Sequence, residues 1–189
     1  MKLRMVFLAA ALLALPAVAG AGNVCDAYYR LYHLTPGGPV RVLSNAPLPP
    51  GSNVPPNNQW RYEYEVMNKS TVGGTLGTFY AFFNSTNLDL AHFVSGTMPA
   101  SWTVLQQGPV APNYNYKVRY RTTSSGAMIT SGNKLICTAT FNWTGSTTPG
   151  PQNYDIVVSG GSEPGVTVEI MDLTPTAPMT WGRLKRDYR

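Results

Sequence analysis

Two carboxylates in this sequence are spaced for acid–base work. Glu63 and Glu65 are two residues apart, and in a strand that spacing puts both on one face, roughly 7 Å apart. Paired carboxylates can serve glycoside hydrolysis, one as acid and the other as base or nucleophile. The competing reading is a wet strand face whose acids meet Lys117 and Arg119 across a sheet. His33 and His92 are the only two histidines and no Gly-x-Ser-x-Gly elbow occurs, so no triad is patterned. Two Cys and two His are too few for a Cys/His zinc module. Asp89, in Asn84-Ser-Thr-Asn-Leu-Asp-Leu90, has the oxygen-rich company that Ca²⁺ takes but matches no known loop. No Gly-rich loop precedes a helix to cradle phosphate. No catalytic residue, metal site or cofactor is assigned from the sequence.

A second chemistry is stacking. The chain holds 11 Tyr, 6 Phe and 4 Trp. Trp60, Trp102 and Tyr114 stand nearest turns and are the candidates for a sugar-stacking, ligand-binding platform. Trp143 alternates with Cys137 and is assigned to the core, where strand aromatics belong unless a ligand claims them.

The elements that must carry these residues show period two. Trp60, Tyr62, Tyr64 and Val66 fall on one face and Arg61, Glu63, Glu65 and Met67 on the other. The pattern recurs at Tyr114, Tyr116, Val118 and Tyr120, and at Leu135, Cys137, Ala139, Phe141 and Trp143. It recurs again at Val166, Val168 and Ile170, with Thr167 and Glu169 outward. Alternation of this length predicts strands with one buried and one wet face. Weaker strands are expected at 25–33, 40–43, 76–83, 91–95, 102–105 and 154–158. A helical turn could sit at 87–93. Turn chemistry separates the strands, as in Pro36-Gly37-Gly38-Pro39 and Thr148-Pro149-Gly150-Pro151. The fold class is all-β, a two-sheet antiparallel β-sandwich occupying residues 20–172. About 150 residues bury a real core in such a fold.

The run Trp60-Arg-Tyr-Glu-Tyr-Glu-Val-Met-Asn-Lys-Ser70, followed by Gly-containing turn residues and the Phe-rich stretch 77–83, resembles the opening strand of secreted bacterial immunoglobulin-like or fibronectin-like sandwiches. The resemblance covers about a third of the chain. It implies an immunoglobulin-like architecture and no catalytic residues. The antibody pattern of two Cys around a core Trp is not matched, because Cys25 lies at the expected mature N-terminus.

The ends read differently from the body. Lys2 and Arg4, the apolar run 5–15, Pro16 and the small residues 17–22 have the layout of a secretory signal peptide at 1–19. The run is too short to span a bilayer, and Gly22-Asn23-Val24 before Cys25 does not resemble a lipobox. The mature chain is therefore expected to be secreted or periplasmic. In that compartment Cys25 and Cys137 are expected to form the one available disulfide, worth roughly 4–5 kcal/mol in the chain-entropy account, the alternative being two free or intermolecular thiols. Residues 173–180 carry two Pro and read as an extended linker. Residues 181–189 form a basic-aromatic tail in which Trp181, Leu184 and Tyr188 share one helical face and Lys185 and Arg189 add charge. The tail reads either as a frayed, solvated terminus or as a sorting or attachment peptide or a contact for an anionic surface. It resembles Trp-Gly-x-aliphatic-Lys-x-x-Tyr-Arg tails of exported bacterial proteins.

Net charge is +5, but its excess sits in the leader and the tail, and the body between them is formally neutral. Only Lys117, Arg119 and Arg121 approach a basic face, and they are expected to be paired with acids. No nucleic-acid partner is expected. Asn68, Asn84 and Asn142 each begin an Asn-x-Ser/Thr triplet, a spacing that chance supplies in a chain rich in these residues. The leading expectation is an exported, non-enzymatic sandwich with a structural or adhesive role at the cell envelope. Its partners would be the envelope surface, a glycan or a protein. A carbohydrate-binding module is the second reading, and a small glycoside hydrolase using Glu63 and Glu65 the third.

Overall fold

A computed structural model describes residues 25–44, 46–70, 73–84, 91–108, 114–159 and 161–171. The leader, the linker and the tail lie outside them. In chain order the strands are β1 (Cys25–Thr35), β2 (Gly38–Val42), β3 (Gln59–Asn68), β4 (Leu76–Asn84), β5 (Ala91–Thr97), β6 (Thr103–Gln107), β7 (Tyr114–Arg121), β8 (Lys134–Trp143), β9 (Asn153–Val158), β10 (Gly161–Val166) and β11 (Val168–Glu169). Among the described residues the one helical element is a 3-10 turn at Ser125–Ala127, and no helix is long and apolar enough to cross a membrane.

The strands form two sheets. The first runs β11-β1-β3-β8-β5, with β2 also paired to β1; the second runs β10-β9-β4-β7-β6. Among the described residues all pairings are antiparallel except β1 with β11. The expected β-sandwich is thus present, built on the alternations read from the sequence. In β3 the burial alternates along the whole strand, with Trp60, Tyr62, Tyr64 and Val66 inward. In β8 Leu135, Cys137, Ala139, Phe141 and Trp143 do the same. Rings from the two layers meet edge to face: Tyr64 against Phe79 at 5.3 Å and Phe83 against Phe141 at 5.6 Å. Such contacts add to the area they bury. The buried phenols are satisfied by loop and strand acceptors, Tyr62 by the Gly150 carbonyl and Tyr120 by the Thr138 carbonyl, each at 2.7 Å. Without those partners each hydroxyl would cost its desolvation.

Three expectations are corrected. Cys25 and Cys137 are both buried and both free thiols, so the disulfide is not formed. The register gives the reason. Cys25 stands opposite Asn68 on β3, whereas Cys137 stands opposite Tyr64. They are two strands and four residues apart, roughly 16 Å between Cα atoms from standard spacings. A disulfide spans less than about 7 Å. Second, Val166 and Val168 are exposed and Thr167 is buried, the reverse of the expected face. Here β10 ends in the second sheet and β11 begins in the first. The chain crosses at Thr167, whose N–H donates to the Gln152 carbonyl and whose Oγ1 accepts from the Gln152 N–H, both at 2.8 Å. Third, β10, through Gly-Ser-Glu-Pro-Gly-Val, was not expected, because Gly and Pro mask a strand that pairs only along β9. Of the helical turn expected at 87–93, residues 91–93 belong to β5 and 87–90 lie outside the described residues.

Candidate functional site

Two of the three stacking candidates are core residues. Trp60 is fully buried and its Nε1–H donates to the Ser52 carbonyl at 3.0 Å. Trp102 is buried and donates to the Ala127 carbonyl at 2.8 Å. Each indole fills the interior and bolts a loop to it, so neither offers a ring to a ligand. Tyr114 opens β7, and its side chain lies outside the described residues, as do Asp89 and the tail residues Trp181, Leu184, Lys185, Tyr188 and Arg189. Of the glycosylation triplets, Asn68 is buried and its amide is spent on structure. It donates to the Gly74 and Ile129 carbonyls at 2.8 Å and accepts from the Ser70 N–H at 3.0 Å.

Glu63 and Glu65 do share the outer face of the first sheet, but with other partners than Lys117 and Arg119, which belong to the second sheet. Arg30 of β1 bonds to both carboxylates, to Glu63 at 3.3 Å, and Lys134 of β8 bonds to Glu65 at 2.6 Å. Hydrogen bonds from Lys134 and Arg30 hold the Glu65 carboxyl below its ordinary value. A general acid for glycoside cleavage needs the opposite shift. The pair is a cross-strand charge ladder. His33 stacks on Trp60 at 4.8 Å, its Nε2 donating to the Asn57 carbonyl at 2.6 Å. His92 is three strands away across the sheet, opposite Asn142, so the histidines are not brought together. No three His, Cys, Asp or Glu gather into a metal-binding group among the described residues.

The second sheet presents a different outer face. A bulge between Leu76 and Thr78 shifts the phase of β4. After it, Phe79, Ala81 and Phe83 point inward while Tyr80 and Phe82 are half-buried on the outside. Their rings are 6.3 Å apart and 28° from parallel. The register sets three rows across this face: Arg121, Thr78 and Val157; Arg119, Tyr80 and Asp155; Lys117, Phe82 and Asn153. An open depression of about 410 Å³ adjoins the third row, lined by Phe82, Asn153, Asp155, Pro164 and Val166 among others. A second of about 240 Å³ lies at the first row, lined by Thr78, Arg121 and Val157 among others. Lys117 extends its ammonium to 4.2 Å from the Tyr80 ring centroid and 5.9 Å from that of Phe82, a cation–π arrangement. Ser162 donates to the Asp155 carboxylate. The face therefore offers aromatic rings, an amide, a carboxylate and cations around shallow relief.

Sequence reasoning passed over Tyr80 and Phe82 because 76–83 reads as an apolar run without alternation. The usable signal was β7: its Lys117, Arg119 and Arg121 mark an outer face, and the strand beside it has aromatic side chains to spare for that face.

No family model matches the sequence, and no curated protein matches it. Among solved structures, the chain is similar to the biomass-sensing modules of Rsgi-like proteins of Clostridium thermocellum, described as resembling the family 3 carbohydrate-binding module of the cellulosome. The identity is 12%, the match covers 72% of this chain and 95% of that one, and the TM-score is 0.40. A likeness of that size assigns neither family nor ligand.

Proposed function

We propose that this chain is an exported, non-enzymatic sandwich that binds carbohydrate on the outer face of its second sheet. One observation carries the reading: Tyr80 and Phe82 lie partly exposed and near-parallel on this face, and Phe82 lines a depression edged by Asn153 and Asp155. A sugar ring has an apolar C–H face and a rim of hydroxyls. An aromatic ring takes the first, while an amide and a carboxylate take the second. Retention on a glycan is also how the expected adhesive role at the cell envelope would operate. Export rests on the leader pattern at residues 1–19. The immunoglobulin-like type belongs to the same proposal, supported by the spatial order β1-β3-β8-β5 against β9-β4-β7.

The test is affinity electrophoresis of the full chain in gels containing soluble polysaccharides. Phe82→Ala and Tyr80→Ala are each expected to weaken retention about tenfold, which is ~1.4 kcal/mol, with Tm moving by only a few degrees. Unchanged retention in both variants, or no retention of the parent by any polysaccharide, would overturn the proposal.

A further inference from the structure

We infer that the glycan carries carboxylates, a uronate-bearing polysaccharide whose acidic edge lies along β7; this rests on the carbohydrate reading above. The charge on the two faces is partitioned. On the first sheet the acids are taken: Asp26 by Lys69, Glu63 by Arg30, Glu65 by Arg30 and Lys134, Glu169 by Arg41. On the second, Lys117, Arg119 and Arg121 project at alternate positions of β7, roughly 7 Å apart. Among the described residues no carboxylate is paired with any of the three, contrary to the sequence expectation. The Nε of Arg119 is buried with no hydrogen-bond acceptor.

The rows give this face two unlike edges. The cations form one column beside the aromatic strip, and Asn153 and Asp155 form the other. A hexuronate chain matches both, with carboxylates toward the guanidinium groups, which bind them bidentately, and hydroxyls toward the amide and carboxylate. Lys117 sharpens the choice. Its ammonium lies on the Tyr80 ring face, so a neutral sugar must evict it, whereas an anionic sugar can draw it into an ion pair. A phosphodiester chain fits less well, because Asp155 stands in the middle row and repels a second anionic edge.

Polygalacturonate and its highly methyl-esterified form share a backbone and differ in charge. Titrating the full chain with each by calorimetry at low salt is expected to show at least tenfold tighter binding of the free acid. The margin should shrink as NaCl rises toward physiological strength. Arg119→Ala should remove most of that margin, with Arg119→Lys recovering part of it. Lys117→Ala should instead narrow the margin from both sides, weakening the free acid and strengthening the methyl ester, which no longer has to evict an ammonium from the Tyr80 ring. Equal affinity for acid and ester overturns this inference while leaving the carbohydrate reading standing. Binding of neither polymer, with retention on a neutral glycan, does the same, and failure on every glycan removes both. Single-stranded DNA binding as tightly as polygalacturonate overturns the inference in favour of a nucleic-acid partner. A fold check by circular dichroism on each variant separates lost charge from lost structure.

Discussion

Burial holds both thiols protonated. Cys25 is pushed up to about 11, first by desolvation and then by the nearby Glu163 carboxylate. Cys137 is raised well above its ordinary value by desolvation alone. The thiolate is the reactive species, so neither cysteine is a nucleophile near neutral pH. Two thiols per chain should react when the protein is unfolded without reductant. In the folded protein both should be slower by about 100-fold. A count of zero in the unfolded chain would restore the disulfide and require a different strand order, because β3 separates β1 from β8. The same reasoning applies to Trp60. Its ring belongs to the interior, so Trp60→Ala should cost about 3–5 kcal/mol of stability, read as a lowered denaturant midpoint, before any effect on ligand could be measured.

At the scale of the element, β11 is two residues long and depends on one side chain. Glu169 accepts from the Ser44 N–H at 3.0 Å, from the Ser44 hydroxyl, and from Arg41 at 3.2 Å. Arg41 also donates to the Ile170 carbonyl at 2.6 Å. The Ile170 N–H in turn reaches the Tyr29 carbonyl at 2.8 Å. These bonds hold the parallel pairing to β1 and bring the chain back from the second sheet to the first. Removing the carboxylate breaks its bonds to Ser44 and to Arg41. Glu169→Ala should therefore cost about 2–4 kcal/mol and strip the Ile170 amide of its hydrogen-exchange protection. Protection at Ala139 and Tyr64, deep in the central strands, should outlast it. Full retention of Ile170 protection would show that the strand pairs without its latch.

For the whole molecule the division of charge has a consequence in acid. Glu65 titrates in the folded state below its ordinary 4.5, because Lys134 and Arg30 favour the carboxylate. A carboxyl lowered on folding stabilises the fold above its unfolded value. That contribution fades as the pH falls through the lower, folded value. Asp26 is shifted in the same direction by Lys69. Stability should thus hold from neutrality down to about pH 4.5 and then decline. Glu65→Gln should lose about 1 kcal/mol at neutral pH and show a shallower acid limb. An unchanged limb in urea titrations across pH would mean that the ladder on the first sheet contributes nothing.

The alternating rows in β3, β7 and β8 were legible from residue order alone, because a strand exposes opposite faces at successive residues whatever it packs against. Residue order also placed the turns that separate these strands and the inward setting of Cys137. What it could not supply was pairing across long separations. Which strands neighbour one another decides that Cys25 and Cys137 stand apart, that Glu63 and Glu65 meet Arg30, and that Trp60 and Trp102 are interior. The bulge before Thr78 decides that Tyr80 and Phe82 face outward. Chain order reports the period of a strand. Its phase and its neighbours are set by long-range register, which depends on residues far away in the chain.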